Sequence, residues 1–179
     1  MVSKRYEVQD CFYFDSQTVD KQRYTITNGG ANITYSSNGV TIVGTQATTC
    51  LVKNNALTLP NRYSAELTIT ARSGGSESPL RTYYGGLCFD DCLIDFNSEQ
   101  VSIYQFSNLS QLTTINYGLQ VNDVLKIEYE NATMKIYIND VLKTTQSITH
   151  TGEYYHRTYK PNNTAGRSLT VKDLKIKEL

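Results

Sequence analysis

Acidic side chains could perform hydrolytic chemistry in this sequence only if their spacing brought two of them together. Cleavage of a glycosidic bond with retention needs two carboxyl groups about 5 Å apart. The acidic stretch Asp91–Glu99, which contains Asp95, lacks such a spacing. Glu128 and Glu130 share one strand face, but a turn follows them and predicts solvated charges. The pattern favours a protein that is not an enzyme, and a hydrolase or lyase using Asp95 or Glu128 is the alternative.

Other catalytic patterns are missing. The sequence has no Gly-x-Ser-x-Gly elbow and no His-Glu-x-x-His zinc motif. Its two histidines, His150 and His156, lie in a loop-like region and are predicted to be surface residues.

Aromatic and short polar residues offer a different chemistry, because sugar rings stack their C–H faces on aromatic planes and their hydroxyl groups need polar partners. If Ile94 and Phe96 face the core, Asp95 and Asn97 face outward. The same alternation places residues 104 and 106 outward on the next strand. The predicted glycan site contains Tyr84, Asp95, Asn97, Tyr104 and Phe106. Alternatively, the aromatic members cover a second small core.

A second aromatic group lies at 154–159, before the last predicted strand. Tyr154, Tyr155 and His156 belong to it. Tyrosine and arginine are favoured at interfaces, so this segment is predicted to be a rim of the sugar site, a contact in a homo-oligomer, or a packed loop.

The sequence indicates no cofactor, with a structural calcium ion as the alternative. Asp10, Asp15 and Asp173 lie on or near the terminal strands and are candidate ligands, since calcium binds six to eight oxygens. No EF-hand-like run accompanies them.

The elements that would position these residues are strands. Tyr63–Arg72 alternates apolar and polar residues, as a half-buried strand does. About a dozen such segments, separated by turn residues, predict an all-β fold without a confident helix. We expect one domain, residues 1–179, built as a two-sheet antiparallel jelly-roll sandwich.

Several turns and irregularities follow from local sequence. Asn38-Gly39 and Asp90-Asp91 predict hairpin turns. Ser73–Pro79 is predicted to be a mobile loop, and a phase slip at Lys172-Asp173 predicts a bulge. The four cysteines (Cys11, Cys50, Cys88 and Cys92) are predicted to be free thiols, with a Cys88–Cys92 bridge as the alternative.

Charge and hydropathy restrict the partners. Seventeen basic residues balance seventeen acidic ones, which argues against nucleic acid or an anionic membrane as partner. No segment has the roughly 20 apolar residues of a membrane span. The N-terminus lacks the apolar region of a signal peptide.

The segment Asp123–Leu142 resembles the hairpin of concanavalin A-like lectin/glucanase (laminin G-like) domains, with Asp140 where those domains usually have glycine. Leu169–Leu179 resembles their terminal strand, and Asp10–Asp15 the first strand beside which it pairs. The resemblance implies a jelly roll and a non-catalytic, lectin-like module that binds a cell-surface glycan for adhesion. It also implies a prokaryotic surface or phage tail protein, either virion-associated or an excised domain. A structural or protein-interaction domain is the alternative.

Overall fold

The computed structural model describes residues 24–27, 29–46, 49–55, 57–78, 81–158 and 167–179. In chain order the strands of these ranges are β1 (Tyr24–Thr27), β2 (Ala31–Ser36), β3 (Gly39–Gly44), β4 (Cys50–Asn54), β5 (Tyr63–Ser73), β6 (Gly75–Ser78), β7 (Arg81–Phe89), β8 (Cys92–Asn97), β9 (Val101–Gln105), β10 (Gln111–Ile115), β11 (Asp123–Glu130), β12 (Thr133–Ile138), β13 (Val141–Ser147), β14 (Tyr154–Thr158) and β15 (Ser168–Glu178). None of the described residues forms an apolar helix of membrane-spanning length.

The strands form two antiparallel sheets. The front sheet has the order β1-β4-β14-β7-β8-β9-β10, with β6 paired beside β7. The back sheet has the order β13-β12-β11-β5-β15-β3-β2. The predicted all-β, two-sheet antiparallel sandwich is therefore confirmed.

Alternation of apolar and polar residues explains how each sheet contributes to the core. In β5, Tyr63, Ala65, Leu67 and Ile69 are buried, and the residues between them are half-buried. Ala71 breaks the predicted pattern and is exposed, because the pairing with β15 shifts register opposite it. The inner faces of the two sheets share one apolar core.

Residues in left-handed backbone conformation form the turns of two hairpins in the back sheet. Asn131 and Ala132 turn β11 into β12, and Asn139 and Asp140 turn β12 into β13, all four with φ between 51° and 62°. Asp140 adopts this conformation where glycine is usual, because a short polar side chain tolerates it. The predicted bulge is also confirmed: Asp173 has φ 56°, and the β15–β5 register shifts between Lys172 and Lys175.

Two segments predicted as loops contain strands. Ser73–Pro79 was predicted to be a mobile loop, but within it Gly75–Ser78 form β6, which pairs antiparallel with β7. The 154–159 segment was also predicted to be a loop, yet β14 lies in the front sheet between β4 and β7. Its buried residues alternate with half-buried ones, as a strand requires.

The described cysteines, Cys50, Cys88 and Cys92, are free and buried, as predicted. The alternative bridge between Cys88 and Cys92 is wrong, because Cys92 faces the core while Cys88 pairs with Leu93 on the other face. Cys11 and the predicted first strand, Asp10–Asp15, lie outside the described residues.

Candidate functional site

The candidate site lies on the outer face of the front sheet, where β14, β7, β8 and β9 run side by side. Core residues on these strands alternate with outward ones, so register aligns the outward side chains in rows across the sheet. Arg157 is opposite Gly86, which is opposite Asp95. In the next row Tyr155 is opposite Cys88, then Leu93, then Tyr104.

Asp95 and Arg157 form a polar pair within this face. Arg157 Nη1 donates a hydrogen bond of 3.2 Å to Asp95 Oδ2. Both side chains are mostly shielded from solvent, with 24% of Arg157 and 12% of Asp95 exposed. In this setting the electrostatic attraction between the two groups is stronger than in a fully solvated pair.

A polar pocket of about 340 Å³ opens around this pair. Its lining combines two tyrosines, two arginines, a carboxylate, a hydroxyl and two leucines: Tyr83, Tyr104, Arg157, Arg167, Asp95, Thr49, Leu93 and Leu109. The Arg167 guanidinium lies over the Tyr83 ring, 4.8 Å from its centroid. Such a lining offers both flat aromatic faces and charged hydrogen-bonding groups.

An apolar pocket of about 820 Å³ adjoins the first. Leu51, Phe106 and Leu109 line it together with Thr49, Ser107, Arg157 and Gly29. Phe106 packs against Tyr155, with ring centroids 5.5 Å apart. The aromatic surface therefore continues from one pocket towards the β14 side of the sheet.

Asp91 positions the loop that carries Phe106. Its Oδ1 accepts a hydrogen bond from the Ser107 backbone N–H at 2.6 Å. Its Oδ2 accepts bonds of 3.0 Å from Ser107 Oγ and from Gln105 Nε2. A nearly buried carboxylate in the β7–β8 turn thus holds the loop that forms one wall of the site.

Beside this wall, Lys53 and Glu153 form an ion pair. Tyr155 Oη donates a hydrogen bond of 2.7 Å to Glu153 Oε2. The Lys53 ammonium and the Tyr155 hydroxyl together lower the pKa of Glu153. Burial and the neighbouring Glu153 carboxylate raise the pKa of Tyr155, so its hydroxyl remains a donor.

The structure brings together Asp95, Tyr104, Phe106 and Tyr155 among the predicted site residues, but it places Tyr84 and Asn97 elsewhere. Tyr84 is in the core, where its hydroxyl accepts a hydrogen bond of 2.9 Å from Arg72 Nη1. A bulge between Tyr83 and Gly85 shifts the register, so Tyr83 lines the pocket instead. Asn97 is buried and caps the β8–β9 turn, where its Oδ1 accepts from the N–H groups of residues 99 and 100.

His156 was predicted to be a surface residue, and this is wrong, because β14 points it into the sandwich together with Tyr154. Tyr154 and His156 are 0% and 2% exposed and share a hydrogen bond of 2.8 Å between Tyr154 Oη and His156 Nε2. Burial lowers the pKa of His156 to about 3, so its imidazole is neutral. His150 is half-buried, with Nδ1 2.9 Å from Asp90 Oδ1.

No three His, Cys, Asp or Glu side chains within the described ranges are grouped to hold a metal ion. Asp173 is exposed at the β15 bulge. Asp10 and Asp15 lie outside the described residues, so the calcium site stays a prediction from the sequence.

Sequence reasoning missed Arg157, Tyr83 and Leu109 as site residues. For Arg157 a signal existed: with 154–158 taken as a strand, alternation places Tyr155 and Arg157 on one face. Predicting Tyr83 would have required knowledge of the register shift at Gly85, and predicting Leu109 would have required the path of a loop. Neither follows from a period of two.

No protein-family model matches the sequence, and no curated protein matches it. Among solved structures, the carbohydrate-binding module CBM66 from Bacillus subtilis is similar, with TM-score 0.62 and 17% identity over 86% of this chain and 95% of that one. The VIP36 exoplasmic/lumenal domain has TM-score 0.58 and 9% identity over 88% and 83%. The Emp46p carbohydrate recognition domain has TM-score 0.58 and 10% identity over 96% and 94%. Together with the two-sheet topology, these likenesses show that the chain has the concanavalin A-like jelly-roll fold.

Proposed function

We propose that the protein is a non-catalytic glycan-binding module whose ligand lies on the outer face of the front sheet. One observation carries the proposal: Tyr104, Asp95 and Arg157 line a single pocket of about 340 Å³. That volume is within the roughly 300–1,000 Å³ of small-molecule sites.

The pocket suits a sugar because it supplies the two interactions that a sugar ring needs. Tyr104 offers aromatic surface for the C–H face of a ring. The Tyr83 ring beside it has the Arg167 guanidinium over one face. Asp95 accepts hydrogen bonds from hydroxyl groups, and Arg157 donates to ring or hydroxyl oxygens. The hydrogen bond between Asp95 and Arg157 orients both groups before the ligand arrives, which reduces the entropic cost of binding.

Catalysis is disfavoured by the placement of the two acids that hydrolysis would use. Asp95 lies on the outer face of the front sheet, whereas Glu128 lies on the outer face of the back sheet. The two sheets separate them, so they cannot flank one glycosidic bond. Hydrogen bonds from Lys126 and Tyr137 lower the pKa of Glu128, whereas a general acid needs a raised pKa.

The similar structures support the same function. One is a carbohydrate-binding module and another a carbohydrate recognition domain. VIP36 was solved with calcium and mannose bound. A module that binds glycan and leaves it intact suits adhesion, and we extend the proposal to attachment of a larger surface or virion assembly to a glycan-coated cell.

Binding to a glycan array, followed by calorimetric titration of the best ligand, tests the proposal. We expect Tyr104→Ala to weaken binding at least tenfold, because it removes a stacking surface. Tyr137→Ala is the matched control, since Tyr137 lies on the outer face of the back sheet and bonds to Glu128. Asp95→Asn has a matched control of its own in Glu128→Gln.

Two results would contradict the proposal. One is the absence of binding to any glycan at millimolar concentration by a folded protein, which would favour a structural or protein-interaction domain. The other is turnover of a polysaccharide that Asp95→Asn abolishes, which would show an enzyme.

A further inference from the structure

The polar and apolar pockets adjoin each other and together form a groove. Thr49, Leu109 and Arg157 line both of them. The combined site is larger than one pocket and has two ends, marked by Tyr83 at the polar end and by Leu51 and Phe106 at the apolar end. A ligand that fills the groove must extend past Leu109 and Arg157.

The two ends differ in chemistry. The polar pocket contains Asp95 and Arg167 in addition to the shared Arg157. Among the described residues, the lining of the apolar pocket has no carboxylate; its distinguishing side chains are Leu51 and Phe106, with Ser107 beside them. Aliphatic side chains contact methyl groups well but provide no partner for hydroxyl groups, which lose hydrogen bonds to water when they are buried there.

Leu109 lies where the two pockets meet, and its conformation is unusual. Its backbone is left-handed, with φ 56°, and 56% of its surface is exposed. Leucine is disfavoured in this conformation, and an exposed leucine at a loop tip gains nothing from the core. The Ser110 N–H bonds to Asn108 Oδ1 at 2.8 Å and helps to hold the turn. Strain of this kind is concentrated at ligand-binding positions.

We propose that the groove takes an oligosaccharide of two or more rings in one fixed direction. A ring rich in free hydroxyl groups occupies the polar pocket. The neighbouring ring occupies the apolar pocket and carries an apolar substituent, either the methyl group of a 6-deoxy sugar or an acetyl group. Leu109 contacts both rings at their linkage. This inference rests on the proposed function and specifies the ligand of that same site.

Volume and charge agree with this assignment. Each pocket, at about 340 and 820 Å³, is in the size range of a site for one small ligand. The charged groups are concentrated at one end, so a reversed ligand would bury hydroxyl groups against Leu51 and leave Asp95 facing a methyl group. That arrangement loses hydrogen bonds at both ends, which fixes the direction.

The test uses matched sugars and measures affinity by calorimetry. The probes are glucose, N-acetylglucosamine, cellobiose and N,N′-diacetylchitobiose, with galactose and its 6-deoxy counterpart, and array-printed disaccharides that differ only by an acetyl or methyl group. We expect a disaccharide to bind at least tenfold more tightly than either of its rings. Within a matched pair, the member with the apolar substituent should bind at least fivefold more tightly.

Variants assign these increments to the two pockets. Leu109→Asn removes the apolar group but keeps a residue that favours left-handed backbone. Because Leu109 lines both pockets, the variant should weaken disaccharide binding more than monosaccharide binding and so reduce the advantage of the disaccharide. Tyr104→Ala should weaken monosaccharide and disaccharide alike. Leu142→Asn is the control, because Leu142 is another leucine about half exposed, on the edge strand β13.

The outcomes separate this inference from the function on which it rests. Equal affinity for one ring and two, or an unchanged disaccharide advantage in Leu109→Asn, would overturn the two-pocket assignment and leave glycan binding intact. Preference for the unsubstituted member of each pair would overturn the apolar assignment alone. No binding to any printed glycan would refute both proposals.

Discussion

Arg157 reaches Asp95 across Gly86, with Nη1 3.2 Å from Oδ2. The three residues belong to three adjacent strands and are aligned by register, with Gly86 in the middle. A side chain at the central position would stand between the two charged groups. The hydrogen bond therefore depends on a glycine in the middle of a sheet, where glycine is otherwise unfavourable.

Gly86→Ala should disrupt this arrangement. A Cβ at position 86 would lie 2.7 Å from Leu93 Cδ1, 3.0 Å from the Ile94 carbonyl oxygen and 3.2 Å from Asp95 Oδ1. The Leu93 side chain can move, but the carbonyl belongs to the sheet. We expect a loss of about 1–3 kcal/mol in the free energy of unfolding, measured by urea denaturation, and weaker glycan binding. A variant as stable as the wild type with unchanged affinity would contradict this account.

The hairpins of the back sheet show what the sequence could predict. The alternation of β11 and β12 and the polar turns at Asn131 and Asn139 specify that meander locally, since each turn joins neighbouring strands. The β15 bulge could also be predicted from the sequence, because the alternation of apolar and polar residues slips by one position at Asp173, as a bulge requires. Local pattern was therefore sufficient for these hairpins and for the bulge, but it missed β6, which pairs with the next strand, β7.

The candidate site depends on pairings that local pattern does not encode. Leu51 lies beside Arg157 because β4 pairs with β14, although the two strands are far apart in sequence. Tyr83 replaces Tyr84 on the open face because of a bulge that accommodates Gly85, whose φ is +127°. Alternation correctly predicted that Asp95 and Tyr104 face outward, since no irregularity intervenes between them and the core residues that set their phase.

Tyr63→Phe should be costly although it removes a single oxygen. Tyr63 Oη donates a hydrogen bond of 2.7 Å to Asp90 Oδ2, and both residues are almost completely buried. Without the hydroxyl, a buried carboxylate oxygen loses its donor, which costs about 1–3 kcal/mol. Tyr137→Phe is the control, because Tyr137 bonds to Glu128 on the outer face. Equal effects of the two variants on urea denaturation would refute the assigned role of Tyr63.

Acid should destabilise the protein through His156. Burial lowers its pKa to about 3, whereas an unfolded histidine has a pKa of about 6.5. The unfolded state therefore binds a proton first as the pH falls, and stability declines between about pH 6.5 and 3, by up to about 1.4 kcal/mol per pH unit. Above about pH 6.5 this contribution is constant.

His156→Gln tests this assignment, because glutamine keeps a polar partner for Tyr154 but does not titrate. Its free energy of unfolding should fall less steeply with decreasing pH than that of the wild type between pH 6 and 4. The difference in slope should correspond to about one proton fewer taken up on unfolding. Parallel pH profiles, or an imidazole that titrates near 6.5 by NMR in the folded protein, would show that burial does not control this group.

Asp91→Asn should impair binding more than it impairs stability. The Asp91 carboxylate accepts three hydrogen bonds, one from Gln105 and two from Ser107. An amide replaces one acceptor oxygen with a donor group, so the loop that carries Phe106 and Leu109 should loosen and glycan affinity should fall at least fivefold. Hydrogen exchange at the Ser107 amide should accelerate in parallel. Asp123→Asn is the matched control: Asp123 is also nearly buried and accepts from Tyr117 Oη and the Gln120 N–H. It lines neither pocket, so a comparable loss of affinity in Asp123→Asn would show that general destabilisation, and not loop position, weakens binding.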